Sequence, residues 1–378
     1  MVNIRVLVLF FLMIISHGAL AELFPHEEIM QAQGAEALVY FEKGESNKPL
    51  VLFIPGDSHL ARISYGYPEG RPQDFLSFWL HKKGYSFAGI SYPTDNPVFS
   101  KVYPGFTIKD WGEQAAEIAD KLIQRHHLSK KIIVLGWSMG GSIEVRLNAA
   151  AKKRGISVEA FIGLAAVPPL PSVMQTGAFD TNKILPNHLA DRRSLVDVFL
   201  KMINVQNSMN EHVIIPPEIY KTRFLANIPT ALSAEGYRYE NGKFVYNVDD
   251  TLRDGEVYNF KDTPWIALIE DDSPTTAKIS LFDPACWNFL RSEMIFHTLF
   301  SKRDLTRLSK TSWTKLIQLI NELPHHLKVT VSGNHFFFLG EKGARATADQ
   351  IEVLIFRLNK IKQELFAISN ETLVETVH

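Results

Sequence analysis

The sequence holds one cysteine, Cys286, in 378 residues, so no internal disulfide can form, and no Cys/His spacing of zinc-site type accompanies it. That residue reads as a small buried hydrophobe. Charge of one sign is also lacking. Lys and Arg total 40 against 41 Asp and Glu, with no long like-charge block, which excludes the basic excess that phosphate backbones select. Nucleic acid is not an expected partner. Internal repeats and low-complexity tracts are absent, and Asn370-Glu371-Thr372, the single glycosylation-type triplet, is too short a pattern to decide anything. The apolar run Val6 to Ile15 is about half the roughly 20 residues needed to cross a bilayer.

What is present is core material: 46% hydrophobic residues and 11% aromatics in a chain long enough for a large domain. The N-terminus reads as a secretory signal peptide over residues 1–21. One positive charge in Met1 to Arg5 precedes the apolar run, and Ala19-Leu20-Ala21 offers small residues for cleavage after Ala21. The expectation is export, to a periplasm or beyond, with no membrane span left after cleavage.

Two β-rich segments, Ala37 to Glu42 and Pro49 to Ile54, flank turn residues Gly44 to Asn47 and are expected to form a strand pair. A helical pattern over Gln73 to Lys83 then leads to a buried strand in "YSFAGISYP", and Ile108 to His127 has the spacing of a long helix. A strand at Lys131 to Leu135, a helix from about Ser142 to Lys153 and the apolar strand in "SVEAFIGLAAVPPLP" follow. Nearly all-apolar strands alternating with helices predict a parallel sheet covered on both faces. The alternation breaks between Pro168 and Lys261. There the helical pieces Ser194 to Val205 and Pro217 to Leu225 precede a hairpin turning at Asn241-Gly242, which reads as an insertion over the sheet. Strands at Pro264 to Ile269 and Leu327 to Ser332 and a helix from Ala346 to Leu365 complete the pattern. The expected organisation is therefore residues 22–167 and 262–378 as core and 168–261 as cap.

Gly136-Trp137-Ser138-Met139-Gly140 joins a strand to a helix. Gly-x-Ser-x-Gly alone arises by chance in about one chain of this length in eight, so the context carries the meaning. A serine on a tight strand-to-helix turn has its hydroxyl lifted to the top of the sheet, and the residues two before and two after must be small. Gly136 and Gly140 meet that need, Gly141 permits close helix-to-sheet approach, and the Met139 backbone N–H stands ready for a developing oxyanion. A structural glycine turn and an anion cradle are the other uses of such a turn. The second is short of glycines, since Gly-x-Gly-x-x-Gly and Gly-Lys-Ser/Thr are both missing here.

A nucleophilic serine needs a base and an orienter. Among 13 histidines, His335 stands directly after a predicted strand in a glycine-punctuated loop, whereas His325 and His326 precede that strand and His297 lies in a helical stretch. For the acid, the strand "WIALI" ends in Glu270-Asp271-Asp272-Ser273-Pro274. Ser273-Pro274 looks like a helix start, which places Asp272 at the turn and makes it the favoured orienter, with Asp271 and then Glu270 as alternatives. The Asp57 backbone N–H, after "LVLFIPGD", is the candidate second oxyanion donor.

On Gly136 to Gly140, Pro55-Gly56-Asp57 and Gly333-Asn334-His335, the chain resembles an α/β-hydrolase-fold serine hydrolase of lipase/esterase type. It departs from the usual pattern in having Pro55-Gly56 for His-Gly and in lacking Gly-x-x-Asp spacing after the acid's strand. The resemblance implies a Ser-His-Asp triad, an acyl-enzyme, a lid made by the insertion, and no metal or organic cofactor. A rival serine, Ser58 in Gly56-Asp57-Ser58-His59-Leu60, resembles a Gly-Asp-Ser-Leu signature, but that family's Asp-x-x-His occurs nowhere in the chain. Thioester or amide hydrolysis with the same residues, and a non-catalytic hydrolase fold binding an apolar ligand, are the alternatives. Tyr65, Tyr67, Tyr103, Phe106, Phe199 and Met202 are expected at the rim, favouring an ester with an apolar acyl or alcohol part.

Overall fold

The structure, a computed structural model, describes residues 22–169, 184–233 and 236–371. The leader expected over Met1 to Ala21 lies outside these residues. Among the described residues, ten strands alternate with helices in the order β1 (Glu27–Ala32), β2 (Ala35–Glu42), β3 (Leu50–Ile54), α1 (Arg62–Tyr65), α2 (Leu76–Lys82), β4 (Phe87–Ser91), α3 (Ile108–His126), β5 (Lys131–Trp137), α4 (Glu144–Lys153) and β6 (Ser157–Leu164). Next come α5 (Val196–Asn210), α6 (Pro217–Ile219), the hairpin β7 (Tyr237–Glu240) and β8 (Lys243–Tyr246), and α7 (Val248–Gly255). The chain closes with β9 (Ile266–Asp271), α8 (Ala277–Ile295), α9 (Lys310–His326), β10 (Lys328–Val331) and α10 (Glu341–Asn370).

Eight strands form one sheet in the order β1-β2-β4-β3-β5-β6-β9-β10. The β1–β2 and β2–β4 pairings are antiparallel, and every later pairing is parallel. Period-two alternation divides the side chains between two cores. Val51, Phe53, Ile133, Leu135 and Trp137 join the core that holds α2 and α10. Leu50, Leu52, Ile54, Ile132 and Val134 join the core that holds α3 and α4. Burial of each such large side chain contributes about 1.5–3 kcal/mol.

The expected pairing of Ala37–Glu42 with Pro49–Ile54 does not occur. Strand β2 pairs with β1 through the Gln33-Gly34 turn, and β4 lies between β2 and β3. Buried all-apolar strands carry no mark of their neighbour, so the crossover was invisible. The hairpin at Asn241-Gly242 does form, with both residues at positive φ, 50° and 80°, as a type I′ turn requires. Helix α3 starts on a capping box in which the Thr107 hydroxyl accepts from Asp110 N at 3.3 Å and the Asp110 carboxylate accepts from Thr107 N at 3.0 Å.

The described residues between β6 and β9 settle on two places. The stretch around α5 and α6 crosses the loops after β3 and β10, with Leu60 N donating to Phe224 O at 2.8 Å, Ala226 N to Ser58 O at 2.9 Å and Asn334 Nδ2 to Met202 O at 2.8 Å. Helix α7 lies on the other side, where Arg146 Nε donates to Asp254 O at 2.8 Å. Among the described residues no helix is long and apolar enough to cross a membrane.

Candidate active site

The strand order and directions are those of the α/β-hydrolase fold, in which residues at the carboxyl ends of the central strands share one face of the molecule. Ser138 follows the last residue of β5 and opens a tight helical turn, Ser138–Ile143, that runs into α4. Its φ is +52°, a left-handed conformation that costs a non-glycine residue about 1–2 kcal/mol. Strain of this kind persists where the surroundings fix it. Here they do: Val167 N donates to Ser138 O at 2.9 Å, and a Cβ on Gly140 would stand 2.6 Å from Ile54 O. A Cβ on Gly136 would collide with the Phe161 ring.

The loop after β3 lies over the serine. A Cβ on Gly56 would come within 2.8 Å of Ser138 Cβ and 3.4 Å of Ser138 Oγ, so only glycine permits this approach. Tyr92 O–H donates to Gly56 O at 2.8 Å and holds the loop from below. Asp57 N has no acceptor among the described residues, and Met139 N, in the first turn, has no helical partner.

His335 follows β10, with Gly333 at φ +145° allowing the chain to turn. Trp137, the residue before the serine, donates Nε1–H to His335 O at 3.0 Å, and the two rings lie 5.3 Å apart. Asn334 ties the loop to α5 through Met202 O and accepts from Phe336 N at 3.0 Å. The imidazole is buried, and desolvation pulls its pKa down to about 4, so it is neutral at pH 7. Its Nδ1 is buried with no hydrogen-bond partner among the described residues. Such an orphan costs about 1–3 kcal/mol, and an acceptor beside it would relieve that cost.

Asp272, the favoured orienter, is not that acceptor. It is exposed, its Oδ1 accepts from Gly333 N and its Oδ2 from Ser332 Oγ, both at 2.9 Å, and these bonds hold its pKa below the usual aspartate value. The reason is the end of β9. The strand runs to Asp271, two residues past the Ile269 expected from the sequence, so Asp271 is a strand residue and Asp272 a turn residue. By alternation Asp271 shares the face of Ala267 and Ile269, which belong to the core of Trp137 and Phe336 to Phe338. Its side chain is 7% exposed, with Oδ1 accepting from Ser273 N at 3.0 Å. Glu270 turns the other way, to Lys328 at 3.2 Å.

One residue of this site went unrecognised as such in the sequence. His59 is fully buried, donates Nδ1–H to Asp57 O and accepts from the Tyr220 O–H at Nε2, each at 2.6 Å. Burial lowers its pKa to about 3. It packs 4.8 Å from both the Trp137 and Phe199 rings, and so links the loop after β3, the end of β5 and α5. With both nitrogens committed, it cannot serve Ser58, whose hydroxyl donates to Asp57 Oδ1 at 2.9 Å. The rim is also narrower than expected. Tyr103 and Phe106 pack against the α3 core, and Tyr65 and Tyr67 line a separate cavity of about 280 Å³ beside Phe24. Phe199 and Met202 are the two that reach the loops of the site. Among the described residues, no cluster of His, Cys, Asp and Glu could hold a metal ion.

No family model matches the chain, and no curated protein matches it. Solved structures similar to it include a bromoperoxidase from Bacillus anthracis, 16% identical over 88% of this chain and 99% of that one, with a TM-score of 0.47. An esterase from Thermogutta terrifontis is 14% identical over 89% and 98%, with a TM-score of 0.47. E-2-(acetamidomethylene)succinate hydrolase is 15% identical over 88% and 100%, with a TM-score of 0.42.

Proposed function

We propose that the protein is an exported serine hydrolase that cleaves an ester-type bond through an acyl-enzyme on Ser138. The observation that carries this reading is Ser138 at φ +52° on a strand-to-helix turn, with Gly56 close against it. Ser138 Oγ attacks the carbonyl carbon while His335 Nε2 takes its proton, and the tetrahedral oxyanion accepts hydrogen bonds from the Met139 and Asp57 N–H groups. His335 then protonates the leaving alcohol, and water, deprotonated by the same ring, releases the acid. Asp271 is the proposed orienter, because its face of β9 is shared with Trp137 and the residues that follow His335. Asp272 is proposed to position the His335 loop through Ser332 and Gly333. The stretch 184–233 is proposed as a cap, supported by its bonds to both loops of the site.

A second reading, a hydrolase-fold protein that binds an apolar ligand without turning it over, is favoured by the unpartnered His335 Nδ1. Turnover separates the two. Under the hydrolase reading, Ser138→Ala loses about 10⁵ to 10⁶ in kcat and Ser58→Ala loses little. Equal low activity in wild type and Ser138→Ala would favour the binding protein.

A further inference from the structure

A cavity of about 370 Å³ opens between the cap and the loop after β3, and Ser58, Asp95, Arg192, Phe199, Lys221 and Leu225 are among the residues around it. Its charges are unequally committed. Both Asp95 oxygens accept from Asn227, from N and from Nδ2, each at 2.8 Å. Arg193, also at this cavity, is held by Asp191 at 2.9 Å, and Lys221 pairs with Glu218 at 3.2 Å. Arg192 differs. Its backbone N–H donates to Asn227 Oδ1 at 2.8 Å, and its buried Nε stands in an ion pair with Asp57 Oδ1 at 3.3 Å without an aligned hydrogen bond, while Nη1 and Nη2 have no acceptor among the described residues.

The nearest carboxylate oxygen to that guanidinium is Asp57 Oδ1, 3.3 Å away, which already accepts the Ser58 O–H. A guanidinium cannot shed its proton to escape burial, and its planar fork matches a carboxylate. An arginine held 16% exposed at the wall of a cavity, its Nε against Asp57, the residue after Gly56, and its two terminal nitrogens uncommitted, has donors to offer an anion. Phe199 and Leu225 give that cavity an apolar wall that methylenes could pack on.

We propose that the substrate is an ester carrying a second, free carboxylate at the end of a short apolar chain, a half-ester of a dicarboxylic acid, and that Arg192 receives this carboxylate. The proposal rests on the hydrolase reading for its chemistry, and the hydrolysed bond and its proton transfers are those already given. Arg192 is a binding residue that acts on substrate choice.

The test compares monoethyl adipate with ethyl hexanoate, which have the same six-carbon acyl chain and differ in the terminal carboxylate, by pH-stat at neutral pH. The expected result is that wild type prefers monoethyl adipate by at least about tenfold in kcat/KM, as hydrogen-bonded charge recognition gives. Arg192→Gln should lose about 30- to 100-fold on the half-ester and less than threefold on ethyl hexanoate, with Arg192→Lys between. Equal losses on both esters, or a wild-type preference for ethyl hexanoate, overturn the proposal by making Arg192 a pin for Asp57 only. A binding arm keeps the two readings apart: calorimetry of monoethyl adipate with Ser138→Ala should show affinity that falls at least about 30-fold on adding Arg192→Gln. That result in a protein that hydrolyses neither ester keeps the anion site and removes the hydrolase. Unchanged affinity removes the anion site whatever the enzyme does.

Discussion

Replacing Gly56 by Ala tests whether the loop after β3 is built against the nucleophile. The added methyl would sit 2.8 Å from Ser138 Cβ, 3.2 Å from Trp137 Cε3 and 3.4 Å from Ser138 Oγ. The first of these is closer than carbon atoms tolerate. The second involves a ring fully buried beneath Phe336 and Phe338, so neither neighbour can retreat freely. Overpacking of this kind costs about 1–3 kcal/mol. The cheapest relief moves Gly56 and Asp57 away from Ser138, which takes the Asp57 N–H off the oxyanion. A misplacement of about 1 Å costs on the order of 10² in rate, and a lost oxyanion donor about 10²–10³. The expected outcome is a fall of 10²–10³ in kcat/KM for any hydrolysed ester, with the fold retained by circular dichroism. Gly155→Ala is the control: its φ is +70° with nothing within 4 Å, so it should cost about 1 kcal/mol of stability and no activity. A Gly56→Ala protein with wild-type kcat/KM and the same small stability loss as the control would refute the placement of this loop over the serine.

Asp271→Asn should lower kcat by roughly 10⁴ through the wrong imidazole tautomer, while Asp272→Asn, which keeps one acceptor oxygen for Gly333 N and offers its NH2 to the Ser332 hydroxyl, should lose far less; steady-state kinetics of the pair reverses the assignment if the effects are exchanged. His335 must be unprotonated to accept the serine proton, and burial opposes its charging, so kcat/KM should stay level from pH 8 to about 5 and fall around pH 4. An acid limb at the ordinary 6.5 would mean that the ring is solvated, or paired with the Asp271 carboxylate, in the free enzyme. Ile203, Ile214, Tyr220 and Phe224 of the proposed cap belong to the main core, so its role is better tested by Phe199→Ala than by excision: relative rates on short and long acyl esters should change. Intact mass spectrometry of the exported form should give a chain beginning at Glu22, and a retained Met1 in membrane pellets would contradict cleavage.

The turn at Ser138 was legible in the sequence because its signals are local: it combines two steric demands, at Gly136 and Gly140, with a strand before and a helix after, and the structure forms that strand, turn and helix. His335 was placed after a strand, and it does follow β10. The acid was harder, because the choice between Asp271 and Asp272 depends on where β9 stops pairing with β10. Val331 pairs with Asp271, and the sequence "IEDDSP" carries no mark of that last rung. The β1–β2 hairpin and the interleaving of β4 were hidden for a related reason: strand neighbours are chosen by packing over long sequence separations, and the alternation in Glu27 to Ala32 is weak. His59 and Arg192 act through partners 161 and 135 residues away, Tyr220 and Asp57, and no short pattern joins them.

The central claim is an activated serine at position 138, and covalent labelling by a fluorophosphonate reads it without knowledge of the substrate. Purified wild type and Ser58→Ala should each gain one adduct by intact mass, mapped to Ser138, and Ser138→Ala should gain none. Absence of an adduct on folded wild type, or an adduct that persists in Ser138→Ala and vanishes in Ser58→Ala, would contradict the account.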